Sequence, residues 1–252
     1  MLPDILPAEV FAFLLVFARI GAIITLIPAL GERTIPTNIR LVLALVLALV
    51  VAQLVRSVLP ELPGSPLRMF LLVSGEIVIG LFIGAAARFI MTGLHVAGSV
   101  IAFQAGLSVA QAFNPTEGIQ SAVMANFFNT TGVMLIFATD LHLLLIGAMH
   151  DSYTLFPAGG VPPAADFAEL VTNMMTQSFS LGIHMAAPFM VYGTLFYMGV
   201  GILGRLMPQV QVFFVAMPLQ IILAFLILMF ILSSSFLWFI GRFEDNMSAF
   251  IL

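Results

Sequence analysis

The sequence from Leu206 to Gly241 reads LMPQVQVFFVAMPLQIILAFLILMFILSSSFLWFIG and contains no charged side chain. A second run without Asp, Glu, Lys or Arg extends from Leu170 to Gly204. A membrane core needs roughly 20 helical residues, whereas either run would reach about 50 Å as a straight helix. Each run is too long for one ordinary crossing and too short for two. Internal prolines, at 188, 208 and 218, therefore predict bent or tilted helices.

The composition excludes a water-soluble domain. Hydrophobic residues make up 62% of the chain and charged residues 8%, with a mean hydropathy of +1.17, whereas ordinary globular domains carry about 25% charged residues. Two-residue alternation is absent, so the apolar stretches predict helices and an all-α, membrane-associated protein. The predicted helices cover about 9–30, 39–59, 67–91, 93–113, 119–149, 168–204 and 209–241.

Several function classes lack their sequence requirements. A net charge of −4 without a basic cluster argues against nucleic-acid binding. The absence of cysteine excludes disulfides, thiolate metal sites and thiol catalysis. No phosphate-binding, dinucleotide-binding or H-E-x-x-H motif occurs, so we expect no cofactor and no metal. The N-terminus has no basic region before its apolar run, so we expect no cleavable signal peptide.

Charged residues interrupt the apolar stretches at positions where exposure to lipid would be energetically costly. Arg19, Glu76, Arg88 and Asp140 lie within such stretches, and Arg205 separates the last two. A deeply placed charge costs roughly 2.5–3.5 kcal/mol on insertion scales, so each must pair, reach water or meet a partner subunit. We expect buried or inter-subunit ion pairs here. Glu76 and Asp140 also leave open an ion- or proton-coupled carrier, in which such carboxylates act as relays.

The segment from Gly75 to Arg88 combines a carboxylate with small residues. Glu76, Gly80 and Gly84 follow each other one helical turn apart, so they form a row on one helix face. Gly80 and Gly84 allow another backbone to approach closely. The row is either an ordinary helix-packing surface or a subunit interface in which Glu76 meets an arginine.

A second segment predicts irregular backbone at membrane depth. Glycine at 106 and 118 encloses Phe113-Asn114-Pro115, and Phe103 precedes them. Irregular backbone in a membrane protein is tolerated where it is buried in protein or lines a cavity. The segment is either an interhelical loop or a plug with Phe103 and Phe113 as apolar stoppers. Ser108 and His184 also leave open an intramembrane serine protease with a Ser/His dyad, although the G-x-S triplet lacks a following glycine.

A set of motifs runs in order along nearly the whole chain: Arg19, Pro28, Pro36 and Arg40; Gly75-Glu76, Gly80, Gly84 and Arg88; Ala97-Gly98; Gln104-Ala105-Gly106; Phe113-Asn114-Pro115; Asp140 to Ile146 with Ser152 and Pro157; Ala186-Ala187-Pro188; and Gly201 to Phe213. In this order they resemble the FliR family of type III secretion export-gate proteins, which has flagellar and virulence branches. The likeness is closer to the flagellar branch, and an injectisome gate is the alternative.

The resemblance implies a non-enzymatic gate subunit built from bent helical hairpins. Residues 1–175 would be FliP-like and residues 176–252 FliQ-like, acting as one integrated unit. A single copy would assemble with FliP and FliQ in the bacterial inner membrane at the flagellar basal body, with FlhB as a further partner. Unfolded export substrates would pass through the gate. The family's plug loop matches about Gly106–Gly118.

Overall fold

A computed structural model describes residues 2–32, 35–107, 122–160, 164–207 and 212–251 of the chain. Within these ranges the backbone forms seven α-helices, a short 3₁₀ turn at Arg56–Val58 and no β-strand, which confirms the all-α prediction. The helices are α1 (Leu2–Leu26), α2 (Thr37–Leu54), α3 (Pro66–Gln104), α4 (Ala122–Ala138), α5 (Leu141–Leu155), α6 (Ala164–Leu206) and α7 (Val212–Ser248).

Three helices are much longer than a bilayer requires. α3, α6 and α7 contain 39, 43 and 37 residues, which corresponds to about 55–65 Å at 1.5 Å per residue. Together with α1 and α2 they give five described helices that are long and apolar enough to cross a membrane, and α4 with α5 would make a sixth as one bent span. Pro188 lies inside α6 and Pro218 inside α7, whereas Pro208 is outside the described residues.

The predicted break between residues 91 and 93 is wrong, because α3 continues through it. Gly93 serves packing here and does not end the helix. A Cβ atom at position 93 would lie 2.6 Å from the carbonyl oxygen of Ser178 in α6. The missing side chain therefore lets α6 approach the backbone of α3.

The single predicted helix over 119–149 is also wrong, because it is divided into α4 and α5. The two helices are bent by 76°, and Asp140 between them has a φ of 59°. Aspartate is one of the few non-glycine residues that adopt this left-handed conformation readily. Asp140 therefore allows the chain to turn sharply within an apolar stretch.

The chain divides into two compact units. Unit 1 comprises residues 1–89, 136–174 and 243–252, and unit 2 comprises residues 90–135 and 175–242. The core of unit 1 is built around α1, whose fully buried apolar side chains are Leu15, Val16, Ile20, Ile23 and Ile24. Phe82 of α3 stacks on Phe167 of α6 in this unit, with ring centroids 3.9 Å apart.

Unit 2 has its own apolar core, which includes α3, α4, α6 and α7. Phe128 of α4 stacks against Phe236 of α7 with centroids 5.4 Å apart. Ala125, Ala186 and Phe239 of this unit are completely buried. The core positions repeat at helical spacing, whereas the opposite faces of α6 and α7 carry exposed apolar side chains.

Within unit 1, α1 and α3 are in backbone contact at Gly80 and Gly84. A Cβ atom at position 80 would overlap the carbonyl oxygen of Arg19 and lie 2.8 Å from the Cβ of Ala22. At position 84 it would lie 2.8 Å from the Cβ of Leu26 and 3.0 Å from the carbonyl oxygen of Ile23. Gly80 and Gly84 thus pack α3 against α1 of the same chain.

We predict that Gly80→Ala destabilises the protein by about 1–3 kcal/mol, because the added methyl group forces backbone displacement in a packed core. The measurement is thermal unfolding in detergent, followed by far-UV circular dichroism.

Gly75→Ala is the matched control in the same helix, since a Cβ atom there meets nothing within 4 Å. Alanine favours helix by up to about 1 kcal/mol over glycine, so this variant should be neutral or stabilised. Equal melting temperatures for the two variants would contradict the close approach at Gly80.

Candidate functional site

The candidate site in unit 1 is centred on Arg19, a cation with no exposed surface. It lies in α1 among apolar residues, and α3 approaches it at Gly80. Its Nε donates a hydrogen bond to Glu76 Oε2 at 2.6 Å, and the Glu76 side chain is only 1% exposed. A charge-assisted contact of this length is strong when it is shielded from water. Arg19 and Glu76 therefore form a buried ion pair between α1 and α3.

The rest of the guanidinium binds the C-terminal end of α5. Nη1 donates to the carbonyl oxygen of Ser152 at 2.9 Å and contacts Ser152 Oγ at 3.3 Å, and Nη2 donates to the carbonyl oxygen of Phe156 at 2.9 Å. The last carbonyl groups of a helix carry partial negative charge, so a cation beside them is favourable. The Ser152 carbonyl oxygen also accepts the Phe156 N–H at 2.9 Å, so Arg19 adds a second partner there and is a partner for the Phe156 carbonyl group. Arg19 thus links α1 to the end of α5 as well as to α3.

Two further groups complete the surroundings of the ion pair. The ring of Tyr153 lies under the guanidinium, with Cζ 4.0 Å from the ring centroid, which is a favourable cation–π distance. Glu76 Oε1 accepts a hydrogen bond from the backbone N–H of Gly159 at 3.3 Å. Both carboxylate oxygens and all three guanidinium nitrogens therefore have partners inside unit 1.

This arrangement joins structural elements, and its polar side chains are engaged with one another. An arginine side chain does not give up its proton in proteins, so it cannot act as a base. The carboxylate is held by the guanidinium, and Ser152 Oγ donates to the Met149 carbonyl oxygen at 2.8 Å. The cluster connects α1, α3, α5 and the turn around Gly159.

The other predicted charges are not part of this cluster. Arg88, Asp140 and Arg205 are all exposed, Asp140 at the turn between α4 and α5 and Arg205 in the last turn of α6. Sequence reasoning missed Ser152, Tyr153 and Phe156 as site residues. The arginine binds two of them through backbone carbonyl groups, which every residue carries, so no residue type marks them.

The predicted plug segment begins at the end of α3 in unit 2. Phe103 is 60% exposed, and Gly106 has a φ of +77°. The N–H of Gly106 donates to the carbonyl of Phe103 and that of Leu107 to the carbonyl of Ala102, at 3.1 and 3.0 Å. This is a Schellman helix end, which requires the left-handed residue that Gly106 supplies. Phe113, Asn114, Pro115 and Gly118 lie outside the described residues.

In the described part of the chain, the geometry supports neither a hydrolytic site nor a metal site. His184 Nδ1 lies 2.7 Å from the carbonyl oxygen of Ser180, one turn back in α6, and Ser108 is outside the described residues. Among described residues, no group of three His, Cys, Asp or Glu side chains could hold a metal ion.

Comparison with known proteins points to one family. The family model described as "Bacterial export proteins, family 1" matches residues 10–246. The flagellar biosynthetic protein FliR of Caulobacter vibrioides is 40% identical over 96% of both chains. That of Bacillus subtilis is 30% identical over 89% of this chain and 87% of its own. The Yop proteins translocation protein T of Yersinia pestis is 25% identical over 90% of this chain and 88% of its own.

We predict that Glu76→Ala destabilises the protein by about 3–5 kcal/mol, because it leaves Arg19 as a buried charge without its carboxylate. The measurement is resistance to thermal unfolding in detergent, together with the yield of folded protein.

Glu9→Ala is the matched control, since Glu9 pairs with Arg56 where the two side chains are 41% and 62% exposed. An exposed pair contributes about 0–1 kcal/mol, so this variant should resemble the unmodified protein. If Glu76→Ala and Glu9→Ala unfold at the same temperature, the buried pair does not hold unit 1 together.

Proposed function

Because the chain belongs to the bacterial export proteins of family 1, we propose that it is a non-enzymatic core subunit of a type III secretion export gate. One copy assembles with FliP and FliQ in the bacterial inner membrane, at the flagellar basal body, and FlhB is a further partner. Unfolded flagellar proteins pass through the assembled gate. The observation that carries this proposal is the 40% identity to a flagellar biosynthetic protein FliR over 96% of the chain.

Exposed apolar helix faces support the proposal that the chain is one subunit of a larger membrane assembly. Along α2 only Ala44, Ala48 and Val51 are buried. On α7, Val215, Met229 and Phe230 are 70%, 77% and 81% exposed. Continuous apolar surfaces of this kind mark contact with other proteins or with lipid. In the proposed gate they are covered by neighbouring subunits and by the membrane.

The FliP-like part of the proposed subunit covers residues 1–175 and the FliQ-like hairpin covers residues 176–252. The boundary falls inside α6, so one continuous helix connects the two parts. Such a chain can contact both kinds of subunit while remaining one integrated element of the gate.

The flagellar system is favoured over an injectisome by the degree of similarity. The chain is 40% identical to the Caulobacter FliR protein and 25% identical to the Yersinia Yop translocation protein. The injectisome gate remains the second candidate, because both relatives align with most of the chain.

A carrier is less consistent with the site than a gate subunit. A proton relay must bind and release its proton as the protein changes state, whereas Glu76 is engaged by Arg19 and by the Gly159 N–H. Asp140 is exposed at a helix break. The two carboxylates therefore do not form an intramembrane relay with each other in the described structure.

The mechanism of the proposed subunit is gating. The plug over about Gly106–Gly118 closes the lumen through Phe103, Phe113 and neighbouring small residues, since an apolar constriction excludes water and ions. Asn114, Pro115 and Gly118 belong to this proposed plug. Gly106 fixes the direction in which the plug leaves α3, because its positive φ ends the helix.

Shortening Gly106–Gly118 should therefore raise the ion conductance of membranes that carry the whole gate, because the apolar closure is removed. The measurement is ion leak in cells or vesicles that contain the complex.

Equal amounts of assembled complex, checked by native mass spectrometry, are the control for this comparison. An unchanged conductance at equal assembly would show that Gly106–Gly118 does not close the lumen.

A further inference from the structure

We infer that Gln220 of α7 is a positioning residue that fixes the end of α3, from which the proposed plug departs. Only the effect on gating rests on the proposed function. The contacts themselves involve described residues of unit 2 alone.

The carbonyl group of Gln104, at the end of α3, has its partner outside the helix. The Schellman motif uses the carbonyl groups of Ala102 and Phe103, and Ala105 N–H donates to Ile101 at 2.8 Å. The carbonyl oxygen of Gln104 instead accepts a hydrogen bond from Gln220 Nε2 at 2.9 Å. Since terminal helix carbonyls need partners when water is excluded, this contact completes the end of the helix.

Several contacts hold Gln220 in position. Its side chain is 1% exposed, and Nε2 also donates to Tyr197 Oη at 3.0 Å. Its backbone carbonyl oxygen accepts a hydrogen bond from Tyr192 Oη at 2.9 Å. The amide therefore connects the end of α3 to α6 as well as to α7.

The turn after α3 is shaped to fit this amide. A Cβ atom at Gly106 would lie 3.0 Å from both Cδ and Oε1 of Gln220. In α6, a Cβ atom at Gly193 would overlap Oε1 of Gln104. Glycine at both positions gives the two glutamine side chains room to lie between the three helices.

No other polar side chain occurs in α7 between Val212 and Leu232. A buried amide is costly unless it is hydrogen-bonded, so Gln220 stays in place only while its acceptors do. A shift of α7 relative to α3 would break the bond to the Gln104 carbonyl oxygen. The end of α3, from which the proposed plug departs, is therefore coupled to the α6–α7 hairpin through this side chain.

The test compares Gln220→Leu with unmodified protein in the assembled complex. Leucine keeps the volume of the side chain and removes both hydrogen bonds. We expect the amides of Ala105, Gly106 and Leu107 to exchange hydrogen about 5- to 30-fold faster, which corresponds to the loss of one or two hydrogen bonds. Ion leak through the complex should rise in parallel.

Gln177→Leu controls for general loosening of unit 2, because it makes the same change at an exposed position of α6. It should not alter exchange at residues 105–107. Tyr197→Phe removes one acceptor of Gln220 and should give a smaller increase, which keeps the test decisive if Gln220→Leu does not fold.

Unchanged exchange at residues 105–107 in Gln220→Leu and Tyr197→Phe would overturn the positioning role. If exchange rises but leak does not, while the shortened Gly106–Gly118 gate does leak, the coupling to gating is wrong and the proposed function stands. If the shortened gate does not leak either, the proposed plug fails, and the exchange measurement alone decides the role of Gln220.

Discussion

The buried guanidinium of Arg19 connects three helices of unit 1. It stays charged inside an apolar core, so each of its nitrogens must meet an acceptor. Glu76 supplies one, and the Ser152 and Phe156 carbonyl groups supply the others. A displacement of α1 along α3 by one turn would leave two opposite charges buried and unpaired. The pair therefore specifies how α1, α3 and α5 are placed.

Small residues make this placement possible. Gly80 lets the backbones of α1 and α3 touch beside Arg19, so the carboxylate one turn earlier reaches the guanidinium. The same combination of a glycine and a buried polar side chain recurs in unit 2 at Gly106 and Gln220. Each unit thus contains a local polar contact within apolar helices. The outer faces remain apolar and exposed, as a subunit of a larger membrane assembly requires.

Helix content and the presence of buried charge follow from the sequence, because long apolar runs and isolated charges have few alternatives. The exact partners of the buried charges do not follow from the sequence. Arg19 binds backbone carbonyl groups more than 130 residues away, and no side-chain pattern marks a carbonyl. The predicted break after residue 91 and the predicted unbroken helix over 119–149 are wrong in opposite directions, since Gly93 permits close packing within a helix and Asp140 permits a turn. Gln220 is the one amide side chain between Val212 and Leu232, which is the pattern that could have indicated its role.

Native mass spectrometry of the assembled complex would show whether this chain is a gate subunit. The chain would be co-expressed with its cognate FliP and FliQ and extracted in mild detergent, and the intact complex would be weighed. We expect a single copy of this chain within a larger FliP–FliQ assembly. A stable monomer or homodimer without partners would contradict this expectation.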